Sequence, residues 1–269
     1  MSKLALYNAA FVSNEHVGGN IYLMKLVCPP LANSIKAGQF VHLQLPCASE
    51  HLLRRPFSVY RSDAQTGVLE ILYAQIGEGT RLLAQLDARH VDTINMIGAI
   101  GNSWQDMHPV CERDRVLLVG AGLGSAPLYM WARYLYEHSI PCDAILAARS
   151  AEYLCTRSDY EHIVTSLTCT TDDGSFGIPG TCIPVVDRLI KQANAQGAPY
   201  TCVSVCGPSI VMKLVSNLAR EHGIYCQVSL ERSMACGIGA CLSCTADTCC
   251  GKKRVCVDGP VFDASELVW

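Results

Sequence analysis

The chain has 269 residues, half of them hydrophobic and 17% charged, and its 21 basic and 24 acidic side chains leave a net charge of −3. This is the composition of a packed globular chain, long enough for two cores and a small appendage, and it excludes a disordered protein. A near-neutral balance without a long basic run argues against nucleic acid as a partner.

The first residues, MSKLALYNAAFV, lack the apolar core and cleavage site of a secretory signal. Short strands then dominate the first hundred residues. Residues 20–27 are apolar and β-branched. Residues 40–45 alternate Phe40, His42, Gln44 against Val41, Leu43, Leu45, the pattern of a half-buried strand. Residues 68–74 and 93–97 are further strands. Pro29, Pro30, Gly38, Pro46, Gly67, Gly77, Gly98 and Gly101 punctuate them, which predicts an antiparallel barrel. Within it, Arg54 and Arg55 precede Pro56, Phe57, Ser58, Val59 and Tyr60. An arginine ahead of a proline-fixed strand presents a planar fork to a phosphate, or is simply an edge-strand arginine. Gly77, Glu78, Gly79 and Thr80 open a helical pattern carried by Leu82, Leu83 and Leu86, a second phosphate-competent feature. Two such features in one barrel suit a pyrophosphate-bearing flavin.

These segments resemble the ferredoxin-reductase-type flavoproteins, through Arg55, Pro56, Phe57 and Ser58, through Leu72, Tyr73 and Ala74, and through Gly79 and Thr80. The resemblance implies that they hold FAD. Many relatives carry a basic residue after the tyrosine; here Ala74 and Gln75 follow Tyr73.

From Arg115 the texture becomes buried strands alternating with helices. Residues 116–119 form an apolar strand, followed by Gly120, Gly122, Gly124, Ser125 and Pro127 and by a helix with Leu128, Trp131 and Leu135 on one face. A strand–glycine loop–helix unit is the setting of a dinucleotide site. Ser125 replaces the third glycine of G-x-G-x-x-G, and the loop resembles the G-x-G-x-G-x-x-P variant of the same reductases. The uncharged run 116–132 is shorter than the ~20 residues of a membrane span. Strands at 144–148, 167–170 and 201–205 and helices at 184–195 and 209–222, the latter capped by Ser209 and stopped by Gly223, predict a doubly wound parallel sheet. Cys206, Gly207 and Pro208 end one strand, where such sheets bind ligands. In the resembling reductases this turn lies under the nicotinamide, which places Cys206 near hydride transfer; a buried strand-end cysteine is the alternative. Asp172 and Asp173 line the cofactor cleft or make an ordinary turn with Gly174. Arg149, after the second nucleotide strand, could in principle meet a 2′-phosphate.

The tail carries Cys236, Cys241 and Cys244 in C-x4-C-x2-C spacing, the plant-type signature of a [2Fe–2S] cluster. Gly237 and Gly239 suit a loop that wraps a cluster. A structural zinc site would use C-x2-C pairs in both halves, and only Cys241 and Cys244 fit that; inert buried cysteines are the third reading. On spacing alone Cys249, Cys250 and Cys256 compete as fourth ligand. The other cysteines of the sixteen read mostly as small buried hydrophobes of a chain in a reducing cytoplasm.

Flavin barrel, nucleotide domain and cluster tail in this order resemble the electron-transfer subunits of class 1B dihydroorotate dehydrogenase. The matching runs are Ser229-Leu230-Glu231, residues 234–241, and Val255-Cys256-Val257-Asp258-Gly259-Pro260-Val261-Phe262. The resemblance selects Cys256 as fourth ligand and leaves the Cys249–Cys250 pair as a departure. It implies a multidomain β plus α/β fold: an FAD-binding antiparallel β-barrel (1–106), a doubly wound parallel NAD-binding domain (107–228) and a small [2Fe–2S] domain (229–269). It implies a relay between NAD(H), FAD and the cluster. The expected partner is an FMN-containing catalytic subunit that oxidises dihydroorotate in pyrimidine biosynthesis, in a heterotetramer of two copies of each. Neither nucleic acid nor membrane is expected as a partner. Reductase subunits of a sulfhydrogenase or a ferredoxin:NADP transhydrogenase share the three modules, and a non-catalytic zinc-binding module is the rival of another class.

Overall fold

Seven strands build the first half: β1 (Ala5–Gly18), β2 (Ile21–Val27), β3 (Phe40–Leu43), β4 (Arg55–Ser58), β5 (Arg61–Asp63), β6 (Val68–Ala74) and β7 (Thr93–Ile100), with the short helices α1 (Pro29–Ala32) and α2 (Glu78–Ala84). The structure, a computed structural model, describes residues 4–46 and 52–269. The strands form one antiparallel sheet in the order β4-β3-β7-β1-β2-β6-β5, curled until β4 lies against β6. Its inside is filled by Met24, Leu26, Val41, Leu43, Leu69, Ile71, Ile94 and Met96, all fully buried.

Two expectations change here. The 14-residue β1 was not legible, because Asn8, Ser13, Asn14, Glu15 and His16 dilute its alternation and much of one face meets solvent. Nor is β3 half-buried. Phe40, Val41, His42 and Leu43 are all at most 4% exposed, since Val41 and Leu43 point into the barrel while Phe40 joins a second core beyond it.

The second half runs α3 (Trp104–Met107), β8 (Val116–Ala121), α4 (Ser125–Glu137), β9 (Cys142–Ala148), α5 (Arg157–Tyr160), β10 (Ser166–Thr171), β11 (Ile178–Pro179), α6 (Ile183–Ala195), β12 (Cys202–Cys206), α7 (Ser209–Glu221) and β13 (Tyr225–Ser229). The tail adds a hairpin, β14 (Thr245–Thr248) and β15 (Gly251–Arg254), and the strand β16 (Val261–Asp263). The sheet order is β11-β10-β9-β8-β12-β13-β16, parallel except that β16 runs antiparallel to β13. Strand alternation serves two helical layers. Val116 and Leu118 face Leu128, Trp131 and Leu135 of α4, while Leu117 and Val119 face the side of α6 and α7. Each buried leucine of α4 contributes about 1.5–3 kcal/mol. Pro208, not Ser209, takes the N-cap of α7, and no side-chain bond caps it; the rigid turn after β12 places Ser209 already inside the helix.

Barrel and sheet are latched through β5 and α5. The Tyr60 hydroxyl donates to the Asp159 carboxylate, which also pairs with Arg61. The Arg61 guanidinium sits 4.8 Å and 4.9 Å from the ring centres of Tyr60 and Tyr129. Asp159→Ala removes the acceptor of a buried tyrosine hydroxyl and a partner of a half-buried arginine. The expected cost is about 1–2 kcal/mol, discounted for partial exposure of the ion pair, read as a lower urea midpoint.

Candidate electron-transfer site

The curled sheet, the glycine loop and the tail meet at a cleft of about 600 Å³, within the ~300–1,000 Å³ of small-molecule sites. The barrel wall includes Phe40, Arg54, Arg55, Pro56, Phe57, Ser58, Leu72, Tyr73, Ala74 and Thr80. Leu123, Ala126 and Pro127 form the second wall, and residues 229–234 with Pro260 the third.

The two arginines separate by role. Arg54 is held by the barrel, donating through Nη1 to the Asn95 carbonyl (3.1 Å) and through Nη2 to the Asn95 side chain. Arg55 lies against α2. A Cβ on Gly79 would stand 3.2 Å from its Nε and 3.4 Å from its Nη2, so the glycine lets the guanidinium reach the helix start. Two N–H groups at that start are occupied, because Thr80 Oγ1 accepts from Ile76 (3.0 Å) and Gly77 (3.1 Å). Tyr73 stacks on Tyr22 and donates its hydroxyl to Asn14 (3.0 Å), so it offers the cleft a ring rather than a polar group.

Gly120 lies near the end of β8 and Gly122 and Gly124 follow it, while Cys206 ends β12 and Gly207 and Pro208 follow. In the order β10-β9-β8-β12-β13, these are the two strands at the topological switch point. Two of the loop glycines are packing devices. A Cβ on Gly120 would meet the Ser125 Cα at 2.7 Å, and one on Gly124 the Cys206 carbonyl oxygen at 2.2 Å. Gly207 abuts Ala121 in the same way, at 2.7 Å. Gly122 is different: its φ is +59° and nothing lies within 4 Å of the missing Cβ, so it leaves the approach to the loop open.

The Cys206 thiol is 1% exposed and donates to the Ser229 carbonyl at 3.6 Å; burial pushes it far above the usual thiol range. It therefore does not line the cleft. The neighbouring acid is Glu231, an exposed residue on the cleft rim whose carboxyl is raised by desolvation. Glu231 was missed as a site residue although Ser229-Leu230-Glu231 had signalled the segment. Asp173 is occupied by its turn, accepting from the Ser175 N–H (2.9 Å) and hydroxyl (2.6 Å). Arg149 stacks 4.3 Å over Tyr153.

Beside the third wall, Cys236 and Cys241 open a loop with Gly237 at φ +68°, Gly239 at +84° and Leu242 at +59°. The N–H groups of Ile238 (3.5 Å) and Cys241 (3.4 Å) point at the Cys236 sulfur. Burial alone would raise the Cys236 thiol, but those donors bring it down to about 6. Cys244 and Cys256, each 3% exposed, lie at the base of the β14–β15 hairpin, thiol within hydrogen-bonding reach of thiol; the Val255 N–H donates to the Cys244 carbonyl at 3.0 Å. Cys249 and Cys250 sit at the opposite, exposed end of that hairpin, sulfurs 3.7 Å apart. Among the described residues no three Cys, His, Asp or Glu side chains gather around a single ion. The donors form two pairs, Cys236 with Cys241 and Cys244 with Cys256, as a two-iron cluster with two thiolates per iron requires. The residues thus fit that group. Seven of the eleven remaining described cysteines are buried; Cys47 lies outside the described residues.

Residues 231–268 match the iron–sulfur cluster binding domain of dihydroorotate dehydrogenase B. The electron transfer subunit of dihydroorotate dehydrogenase B (NAD(+)) from Desulforamulus reducens is 32% identical over 273 residues, covering 100% of both chains. This chain belongs to that family. The Geobacillus thermodenitrificans subunit is likewise 32% identical, covering 96% of each chain. Among solved structures, a chain from the NADH-dependent reduced ferredoxin–NADP oxidoreductase, studied for flavin-based electron bifurcation, superimposes with a TM-score of 0.85 at 28% identity, over 97% of this chain and 90% of that one. The ferredoxin NADP+ reductase of Neisseria gonorrhoeae, at 18% identity and TM-score 0.64 over 86% of this chain and 95% of that one, shares the fold. The protein is thus an oxidoreductase electron-transfer subunit with a ferredoxin-reductase-like fold and a C-terminal iron–sulfur domain. No helix of the described residues is long and apolar enough to cross a membrane.

Proposed function

We propose that this chain relays electrons between NAD(H), FAD and a [2Fe–2S] cluster and exchanges them with an FMN-containing catalytic subunit that oxidises dihydroorotate. The observation that carries this is the three-walled cleft, in which flavin segment, dinucleotide loop and cluster segment share one cavity. Bound flavin supplies the conversion between a hydride and single electrons, and the cluster supplies one-electron transfer. Arg55 pairs with the flavin pyrophosphate at the start of α2. Phe57, Ser58, Leu72 and Ala74 flank the ring system. Gly122 admits the dinucleotide backbone, while Leu123, Ala126 and Pro127 close that side to water. Cys236, Cys241, Cys244 and Cys256 hold the cluster, and Cys206 supports the nicotinamide side by holding the β12 turn rather than by contact. The partner contributes the residues that oxidise dihydroorotate, in a cytoplasmic heterotetramer of two copies of each chain. NADH is the expected dinucleotide, with Arg149 turned onto Tyr153.

Purified protein is expected to show flavin bands and an iron–sulfur shoulder, both bleached by NADH. Cys241→Ser is expected to keep NADH–dye reduction and to lose transfer to the partner at least tenfold. A colourless, zinc-containing protein overturns the relay, as does loss of flavin reduction itself in that variant. A co-purifying partner that oxidises dihydroorotate supports the assignment; one that couples ferredoxin to NADP replaces it.

A further inference from the structure

His42 is the most deeply buried ionisable group between the flavin segment and the cluster loop. It is 0% exposed; the backbone of Arg54 and of Cys236 lies close to the ring, but neither ring nitrogen makes a well-oriented hydrogen bond among the described residues. Its place is fixed on both sides. In the β3–β4 pairing it lies opposite Pro56, one residue from Arg55 and Phe57 of the cleft wall, and on β7 it pairs with Ile97. Its carbonyl accepts from Arg54 Nη1 at 3.4 Å. Across the ring stands the cluster loop. A Cβ on Gly237, the residue after Cys236, would come within 2.5 Å of His42 Nδ1 and 3.1 Å of its Cγ. Glycine at that position is what lets the loop close down on the imidazole.

An imidazole so placed presents a problem of hydrogen bonding. Whatever its charge, the ring carries at least one N–H that no described acceptor meets in good geometry. A buried polar group left unpaired costs about 1–3 kcal/mol, and an apolar side chain would fill the same space without that penalty. The residues around it supply a reason to keep the donor. Hydrogen bonds to the sulfurs of an iron–sulfur centre set its potential, and groups just outside the ligand shell orient the ligands themselves. Ile238 and Cys241 already direct N–H groups at the Cys236 sulfur; His42 stands against Gly237, the next residue, from the barrel.

We propose that His42 is a positioning residue for electron transfer, donating its ring N–H to a sulfur of the loaded cluster loop and so fixing that loop against the strand that pairs with the flavin segment. The inference rests on the [2Fe–2S] reading of the four cysteines. It gives Gly237 a specific role, because any side chain there displaces the loop from the imidazole.

The test uses the complete protein, co-expressed with its partner subunit and purified anaerobically, as His42→Leu and His42→Asn variants. The readouts are the paramagnetic spectrum of the reduced cluster, its redox titration, and the hyperfine coupling of exchangeable protons. His42→Leu is expected to lower the cluster midpoint potential, alter the g-values and remove one exchangeable-proton coupling. His42→Asn, which keeps a short N–H donor, is expected to restore the coupling and part of the potential. Parent-like potential, g-values and couplings in His42→Leu overturn the proposal. Should His42→Leu fail to assemble the cluster, retention in His42→Asn supports the donor role, and loss in both variants overturns it in favour of packing alone. A parent protein with no iron–sulfur signal defeats the cluster reading instead, which keeps the two failures apart.

Discussion

Exchange of Cys256 for serine is expected to abolish the iron–sulfur absorption, while Cys249→Ser and Cys250→Ser leave it at parent intensity. All three lie downstream of Cys244 and compete on spacing alone. The β14–β15 hairpin separates them. Its antiparallel register pairs Thr245 with Arg254 at the base and Thr248 with Gly251 at the tip. Cys244 and Cys256 thereby emerge together at the base, each 3% exposed. Cys249 and Cys250 are carried to the exposed tip, where the Cys249 N–H donates to the Glu266 carbonyl at 2.8 Å. Arg254 donates its N–H (2.7 Å) and its Nε (3.2 Å) to Asp258, which braces the turn holding Cys256. A serine at Cys256 removes one of four thiolates from a centre whose binding is coupled to the folding of its loop. The loss should therefore exceed tenfold in iron content, measured against protein concentration together with the visible spectrum. Parent-level iron in Cys256→Ser, or its loss in Cys249→Ser, would sink the ligand assignment.

The second large effect is expected at Gly124. An added methyl would stand 2.2 Å from the Cys206 carbonyl oxygen and 2.4 Å from its carbon. Both obstacles are backbone, at the end of a strand buried between β8 and β13, so neither side can swing away as a flexible side chain would. Gly124→Ala must push the dinucleotide loop off the β12 turn or distort α4 at its first residue. A destabilisation of about 3 kcal/mol is expected, the upper end for overpacking, together with at least a tenfold weaker response to NADH at unchanged flavin content. Gly122→Ala is the informative contrast. It meets no atom within 4 Å and carries only the strain of φ +59°, about 1 kcal/mol. Its thermal unfolding should stay near the parent, while dinucleotide binding falls because the added methyl stands where the cofactor backbone approaches. Equal destabilisation in the two variants would refute this division between packing and approach glycines.

The sequence by itself determined the chemistry of the pieces. Short strands punctuated by glycine and proline gave the barrel, and apolar strands alternating with helices gave the parallel sheet. Both signals depend on local periodicity, which a strand or helix imposes wherever it packs. The C-x4-C-x2-C spacing was legible for the same reason: three ligands in one loop are fixed by chain connectivity. The tertiary structure decided what depends on contacts between distant segments. Arg54 and Arg55 are neighbours of identical type and both line the cleft, and only the position of Asn95 and of Gly79 tells the one anchored to the barrel from the one laid against α2. The burial of both faces of β3 follows from the tail closing over it, some two hundred residues later. Glu231 and its neighbours become a cleft wall only because β16 brings Pro260 back beside β13. Cys206 sits at the predicted strand end, yet its thiol turns toward the Ser229 carbonyl, an orientation set by the pairing of β12 with β13 and invisible in the Cys-Gly-Pro motif. The ambiguity among Cys249, Cys250 and Cys256 was of the same kind. Spacing counts residues along a chain, whereas a cluster gathers sulfurs in space, and the register of a hairpin of two four-residue strands places one cysteine beside Cys244 and carries the other two away.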